Sequence, residues 1–397
     1  MRVAHFCDSH VGRPDGVARS AELTVRLLRS AGHDADLYRP GPLLGGGVPS
    51  VPMPLRQIRI ALPFTARPAD IVHVHSTGPV GMTGFRAAAD WGVPLVATWH
   101  TDLLAYADLF AEIPAGAAWC ALRLGLGWSP REFLELTRPG AVRRGRLVEL
   151  GKTMFARMAV VIAPSAKTAA GFAPFEPAAE VCVLPTPVTA PMPRPAPMPG
   201  PAATPRPASA NGGVVLSVGR GTADKNPELL LQAFARVRTA RPHARLILLG
   251  VRRQRRHLNR RIAALGLRGH VRVHPPVPHD EVAAFYQAAD VLAFASTTDT
   301  QSLVLAEAEA SGLPAVVADP GLAVRPGATD AGRFVCDPAP DAFAAALLRM
   351  LTDEALRAAV VRDGLEAAAA YSPEVFLHRL LEIYDRARLS RSPAHRR

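Results

Sequence analysis

No apolar run in this sequence reaches the roughly 18–20 residues that a membrane-spanning helix needs. The first residues, Met1 to Cys7, read as a strand and lack the charged and apolar regions of a secretory signal, so the chain is expected to stay in the cytoplasm. Cysteine is scarce. Cys7, Cys120, Cys182 and Cys336 are scattered without paired metal-ligand spacing, which predicts core thiols in a reducing compartment and argues against a structural zinc. Lysine is scarcer still: only Lys152, Lys167 and Lys225 occur in a chain whose net charge is +12. Arginine, alanine and proline are abundant throughout, so most of that charge reads as solvated surface. No recognition motif or aromatic–basic interleaving points to nucleic acid. The GxGxxG dinucleotide fingerprint is also absent, which argues against a nicotinamide enzyme.

What is present fits two α/β domains. A length of 397 residues suits two domains of about 150–200 residues each, and a hydrophobic fraction of 49% can fill two cores. Strands are expected at 2–7, 70–75, 93–99, 159–163 and 181–184, with a turn at 8–17 that holds Gly12, Pro14 and Gly16, and a helix over 18–30 stopped by Gly32. Residues 187–211 are so rich in Pro and Ala that they predict an extended linker. Beyond it the alternation restarts at 214–218, 245–249, 271–274, 290–295 and 315–318, and Asn226 is placed to cap a helix that opens with Pro227. The expected organisation is a Rossmann-like domain over 1–186, the linker at 187–211 and a second Rossmann-like domain over 212–371. A helix at 372–388 is expected to return to the first domain, ahead of a disordered tail at 389–397. Two doubly wound sheets bind ligands at the carboxyl ends of their strands, so chemistry is sought in a cleft there.

Four constellations stand out. In STTDTQSLVLAEAEASGLP (296–314), Asp299 and Glu307 flank seven residues, and Ser302 is placed to cap a helix running to about Ser311. The N–H groups around Thr300, Gln301, Ser302 and Leu303 would then form an anion site, with a carboxylate on each side to accept sugar hydroxyls. The plain alternative is a capped surface helix with two solvated acids. Arg220 and Lys225 lie in one loop after the strand at 214–218, where a guanidinium fork and a compact ammonium suit phosphate. Gly16, in Asp15-Gly16-Val17, lets backbone approach a phosphate closely. His73 and His75 read as structural strand residues, whereas His100, followed by Thr101 and Asp102, is the functional candidate.

With PDGVARS (14–20), DIVHVHS (70–76), ATWHTD (97–102), SVGRGTADKNPELL (217–230) and TTDTQSLVLAEAEASGLP (297–314), the chain resembles the retaining GT-B glycosyltransferases of group one and family four. That family includes phosphatidylinositol mannosyltransferases, diacylglycerol glucosyltransferases and sucrose-phosphate synthases. The resemblance implies transfer of a hexose from a nucleotide-sugar donor to a lipid or small-molecule hydroxyl, with no metal and no cofactor. It places Gly16 on the phosphate side of the donor and Arg220 and Lys225 on the diphosphate. Asp299, Thr300, Gln301, Ser302 and Leu303 line the donor sugar and phosphates, Glu307 takes the ribose hydroxyls, Val277 the base, and His100 the transferred sugar.

The chain departs from the family pattern at Asp299 (usually Glu), Gln301 (usually aromatic), Ser302 (usually Gly), Thr186-Pro187 (usually Asn-Gly) and the basic run 250–256. The TDTQ run is similar to the TETQ of diacylglycerol glucosyltransferases, which favours a UDP-sugar over a GDP-sugar. Arginines 138, 143, 144 and 146, in the basic stretch 138–157, suggest peripheral contact with anionic headgroups at the inner membrane face. Two alternatives keep the fold and change the function: a non-catalytic nucleotide-sugar-binding partner subunit, and a nucleotide-sugar epimerase.

Overall fold

The structure, a computed structural model, describes residues 1–9, 15–40, 66–110, 112–188, 212–252, 254–322 and 333–390. Most of the expected linker, the turn residues Gly12 and Pro14, and the tail beyond 390 lie outside the described residues. The chain divides into two compact units: residues 1–186 with 373–397, and residues 187–372.

In the first unit the strands are β1 (Arg2–Phe6), β2 (Asp34–Tyr38), β3 (Ile71–Val74), β4 (Leu95–Thr98), β5 (Val160–Ala163) and β6 (Glu180–Val183). They form one sheet in the order β2-β1-β3-β4-β5-β6, and every pairing is parallel. Helices α1 (Gly16–Ser30), α2 (Pro79–Trp91), α3 (Leu103–Tyr106), α4 (Glu112–Leu124), α5 (Pro130–Glu135), α6 (Ala141–Phe155) and α7 (Ala166–Ala170) connect them. Helix α1 begins two residues before the expected start, because the Asp15 carboxylate accepts from the Ala18 N–H at 2.8 Å and nucleates the first turn earlier.

Both faces of this sheet are buried, as a parallel sheet requires. On one face Phe6, Val74, Ala97 and Trp99 pack with Phe85, Leu147, Met154 and Phe155. On the other, Val3, Ile71, Val96 and Ile162 pack with Val25 and Leu28 of α1 and with Phe376, Leu380, Ile383 and Tyr384. Those last four belong to the C-terminal helix at Pro373–Leu389, which therefore completes the first unit's core after the chain has built the second.

The second unit repeats the pattern with β7 (Val214–Val218), α8 (Pro227–Ala240), β8 (Arg245–Leu249), α9 (Arg255–Ala264), β9 (Val271–Val273), α10 (His279–Ala288), β10 (Val291–Phe294), α11 (Leu303–Ala310), β11 (Ala315–Val317), β12 (Arg333–Val335), α12 (Pro340–Thr352) and α13 (Glu354–Ala370). The C-terminal helix of the first unit is α14. Strand order here is β12-β11-β10-β7-β8-β9, again parallel throughout. In each unit the first strand has neighbours wound in opposite directions, so there is a topological switch point beside it. It falls between β1 and β3 in the first unit and between β7 and β10 in the second.

Candidate active site

At the β7/β10 switch point the loop after β7 carries Gly219 and Arg220 and then a single 3-10 turn, Ala223–Lys225. Asn226 ends that turn with φ +46°, and its side chain accepts from the Leu229 N–H at 3.3 Å while Pro227 opens α8. This left-handed residue, a conformation Asn tolerates, fixes where Lys225 leaves the backbone. The Lys225 ammonium donates to Asp299 Oδ1 at 2.5 Å and lies 3.8 Å from Asp224 Oδ2, which also accepts from Arg220 Nη2 at 2.9 Å. The backbone carbonyl of Asp224 accepts from the Ser296 hydroxyl at 2.7 Å, fastening this turn to the loop after β10. Two cations and two carboxylates thus sit together with no net charge. Arg220 is half exposed, while the Asp224 side chain is fully buried. Sequence reasoning passed over Asp224; its spacing of four from Arg220 and its place beside Lys225 were the available signal.

Asp299 and Glu307 are both buried, each 8% exposed, so the surface helix with two solvated acids does not describe this segment. Glu307 Oε2 accepts from the Tyr286 hydroxyl of α10 at 2.7 Å, and its Oε1 lies 4.0 Å from His279 Nε2. Thr300, Gln301, Ser302 and Leu303 are partly buried between the two acids. Ser302 takes the N-cap position of α11, as its place in the sequence suggested, but its side chain makes no capping hydrogen bond. The reason is its backbone: φ +65° and ψ +100° belong to a region that glycine occupies freely and a side chain does not. Helix α11 ends as expected, with Ser311 as C-cap and Gly312 left-handed at φ +67°. Val277, in the loop before α10, is half-buried against the apolar cluster of that face.

At the β1/β3 switch point the helix N-terminus is already filled. Asp8 Oδ1 accepts from the Val80 N–H at 2.7 Å, and Oδ2 accepts from the Gly81 N–H at 3.1 Å and the Ser76 hydroxyl at 2.6 Å. Burial pushes the Asp8 carboxyl above its ordinary value, and these hydrogen bonds work against the rise. A Cβ on Gly81 would sit 1.7 Å from the Ser76 carbonyl oxygen, so only glycine admits this approach. Gly16 is the exposed first residue of α1, next to its capping Asp15.

His100 follows β4, and Asp102 behind it caps α3 through the N–H groups of Leu104 and Ala105. The structure adds what linear spacing did not show. Register sets His5 of β1 beside His73 of β3, and His75 extends the row. His75 Nε2 meets His5 Nδ1 at 3.0 Å, and His75 Nδ1 meets His100 Nε2 at 3.4 Å. His73 is held separately, by the Tyr384 hydroxyl at Nδ1 and the Thr98 hydroxyl at Nε2, each at 2.7 Å. Burial lowers the pKa of all four imidazoles, that of His100 to about 4, so they are neutral at pH 7.

Linear spacing does not bring these histidines together, but in the fold ring nitrogens of His5, His73 and His75 lie within 4.8 Å of one another. Imidazole is a ligand type suited to zinc or copper. The ring geometry nevertheless favours hydrogen bonding. Both His73 nitrogens already meet hydroxyls, and His5 Nδ1 and His75 Nε2 already meet each other, so these ring nitrogens are engaged.

The basic stretch 138–157 is not one exposed face. Arg143 is buried and donates to the carbonyls of Leu136, Ala107 and Thr137 and to Asp108. Arg146 is shared among Glu132, Glu135 and Glu149. Arg138 and Arg144 remain exposed.

Residues 205–366 match the family model described as glycosyl transferases group 1, and residues 14–190 match that of glycosyltransferase family 4. Among curated proteins, a D-inositol 3-phosphate glycosyltransferase of Xylanimonas cellulosilytica is 33% identical over 187 residues, 46% of this chain and 44% of that protein. One from Kineococcus radiotolerans is 29% identical over 342 residues, 80% of this chain and 72% of that protein. The match thus spans less than half the length of the first of these relatives. Among solved structures, sucrose-phosphate synthase of Thermosynechococcus elongatus superposes with a TM-score of 0.72 at 19% identity, covering 97% of this chain and 98% of that one. Anabaena HepE in complex with UDP and glucose superposes with a TM-score of 0.63 at 17% identity, covering 97% and 99%. These likenesses agree with the two parallel-sheet Rossmann-like units, and with the two domain matches they lead to one assignment: the chain belongs to the group 1 glycosyltransferases of GT-B fold.

Proposed function

We propose that the chain is a retaining hexosyltransferase that takes its sugar from a UDP-sugar. The observation that carries this reading is the Lys225–Asp299 pair at the β7/β10 switch point, with Arg220 on one side and Glu307 on the other. Two cations there match a diphosphate, and the buried Glu307 carboxylate, an acceptor-only group, matches paired ribose hydroxyls. Retention follows if the acceptor hydroxyl attacks on the face the diphosphate leaves, with the departing phosphate taking the proton. The protein's task is then to stabilise charge on the leaving group. Preorganised cations and the N–H groups of α11 suit it, and losing one such group costs about 100–1,000-fold in turnover. These side-chain cations supply positive charge for a diphosphate, so the reading includes neither metal nor cofactor.

The acceptor is a hydroxyl on a small molecule or lipid. Relatives named for D-inositol 3-phosphate make a phosphorylated cyclitol the first acceptor to assay. Peripheral membrane contact through the basic stretch would rest on its exposed cations, Arg138, Arg144, Lys152 and Arg157.

Calorimetric titration of UDP, GDP and their sugars into wild type, Lys225→Ala and Glu307→Ala tests the site. UDP should bind wild type best, and both variants should weaken it by tenfold or more. Equal affinity in all three proteins would show that the nucleotide sits elsewhere. Binding without transfer to any acceptor, or transfer replaced by sugar epimerisation, would favour the partner-subunit or epimerase alternative.

A further inference from the structure

Three imidazoles form a continuous line, His5–His75–His100, and the line has one closed end. His5 Nε2 is buried and has no hydrogen-bond partner among the described residues. The other end, His100, keeps part of its surface exposed. A neutral imidazole carries one proton, on one of its two nitrogens. If that proton sat on His5 Nε2, a buried N–H donor would face no acceptor, the rarest kind of unsatisfied group in proteins. The proton therefore belongs on His5 Nδ1, where it is donated to His75 Nε2. That nitrogen then accepts, so the proton of His75 is on Nδ1 and is donated to His100 Nε2. His100 is left with its proton on Nδ1.

We propose that His5 and His75 are positioning residues that fix His100 as the neutral Nδ1–H tautomer, so that His100 meets the transferred sugar as a donor from Nδ1 and never from Nε2. The contact of His100 with the transferred sugar is what the family resemblance implies and rests on the function proposed above; the tautomer does not. Burial keeps the line neutral, because charging any member is opposed first by desolvation and, for His5 and His75, next by a neighbouring imidazole. His73 stands beside the line and is not part of it. Its stacked ring limits rotation of His75, while its own nitrogens are taken up by Tyr384 and Thr98.

The test is nitrogen NMR on full-length protein labelled at the histidine rings, at pH 7, with His100 assigned by the signals lost in His100→Asn. The expected result is a protonated Nδ1 and an unprotonated Nε2 on His100. Two substitutions at His5 then separate positioning from packing. His5→Asn puts an amide N–H close to where Nδ1–H was and should preserve the tautomer. His5→Phe keeps the bulk, removes the donor, and should give His100 a mixture of tautomers. With a UDP-sugar, His5→Phe should lose turnover several-fold at unchanged UDP affinity, and His5→Asn should restore it. A wild-type His100 protonated at Nε2 would overturn the proposal, and so would an unchanged Nδ1–H tautomer in folded His5→Phe. If His5→Phe fails to fold, the wild-type and His5→Asn spectra still decide. If the tautomers behave as expected and no sugar is transferred, the proposed function fails and the positioning stands.

Discussion

At the scale of single residues, Asp299 has a more specific part than a shortened family glutamate. In this structure it is the counter-ion of Lys225. A diphosphate arriving at Lys225 competes with that carboxylate, and the carboxylate it displaces becomes available to a sugar hydroxyl. Asp299→Asn should therefore tighten UDP binding a few-fold, since the competing charge is gone. Turnover should fall about ten- to hundredfold, the worth of one charged hydrogen bond. Parallel UDP titration and initial-rate measurement check both halves, and weaker UDP binding in the variant would contradict the competition. Ser302 allows a second test. Relief of its positive φ is worth about 1–3 kcal/mol, less the roughly 0.5–1 kcal/mol that glycine loses in entropy, so Ser302→Gly should raise the melting temperature. An unchanged or lower value would mean the surrounding loop bears no strain there.

At the scale of elements, legibility followed chemistry. β7 and β8 were readable to the residue because VVLSV and RLILL are dense apolar runs between turn signals. β2 was not, because DADLY is an edge strand with two aspartates and only Ala35 of its five residues is buried. β12 was missed because three residues, RFV, carry no period. In the candidate site, Arg220, Lys225, Asp299 and Glu307 were visible as motif positions, while Asp224 and His5 became visible only through the pairings they make. His5 looks like an interruption in an apolar strand until register places it beside His73. The C-terminal helix was legible as a helix, and its energetic weight only from packing. Leu380 is fully buried against the first unit's sheet, so Leu380→Ala should cost about 2–5 kcal/mol of that unit's stability. UDP binding should survive. Denaturant unfolding followed alongside UDP titration measures both, and a loss below about 1 kcal/mol would show that α14 is only loosely docked.

At the scale of the whole molecule, four neutral buried histidines in one unit make stability depend on pH. Their folded pKa values lie below the ordinary 6.5, so in that window the unfolded chain binds protons that the folded unit refuses. Stability should be complete above pH 6.5 and fall as pH drops. For His100 the loss continues to about pH 4, and for the other three further. Each contributes a slope of about 1.4 kcal/mol per pH unit. Asp8, whose carboxyl burial raises above 3.8, acts in the opposite sense, gaining stability as pH falls through its folded value, so scans between pH 7.5 and 5 on wild type and on Asp8→Asn separate its part from that of the histidines. The expected result is a first-unit melting temperature that declines across that range. A flat profile would mean that the imidazoles are reached by water or already charged.

The return of α14 also bears on how the molecule is made. Phe376, Leu380, Ile383 and Tyr384 come off the ribosome after the whole of the second unit, yet they cover Val3, Ile71 and Val96, among the first parts of the chain to appear. At about 5–20 residues per second, synthesis leaves that apolar face waiting for tens of seconds. The N-terminal half therefore cannot finish folding in the order in which it is translated. A messenger cut short before residue 373 would yield a second unit able to close its own core and a first unit with a sticky sheet, the kind of nascent product that chaperones hold and proteases clear.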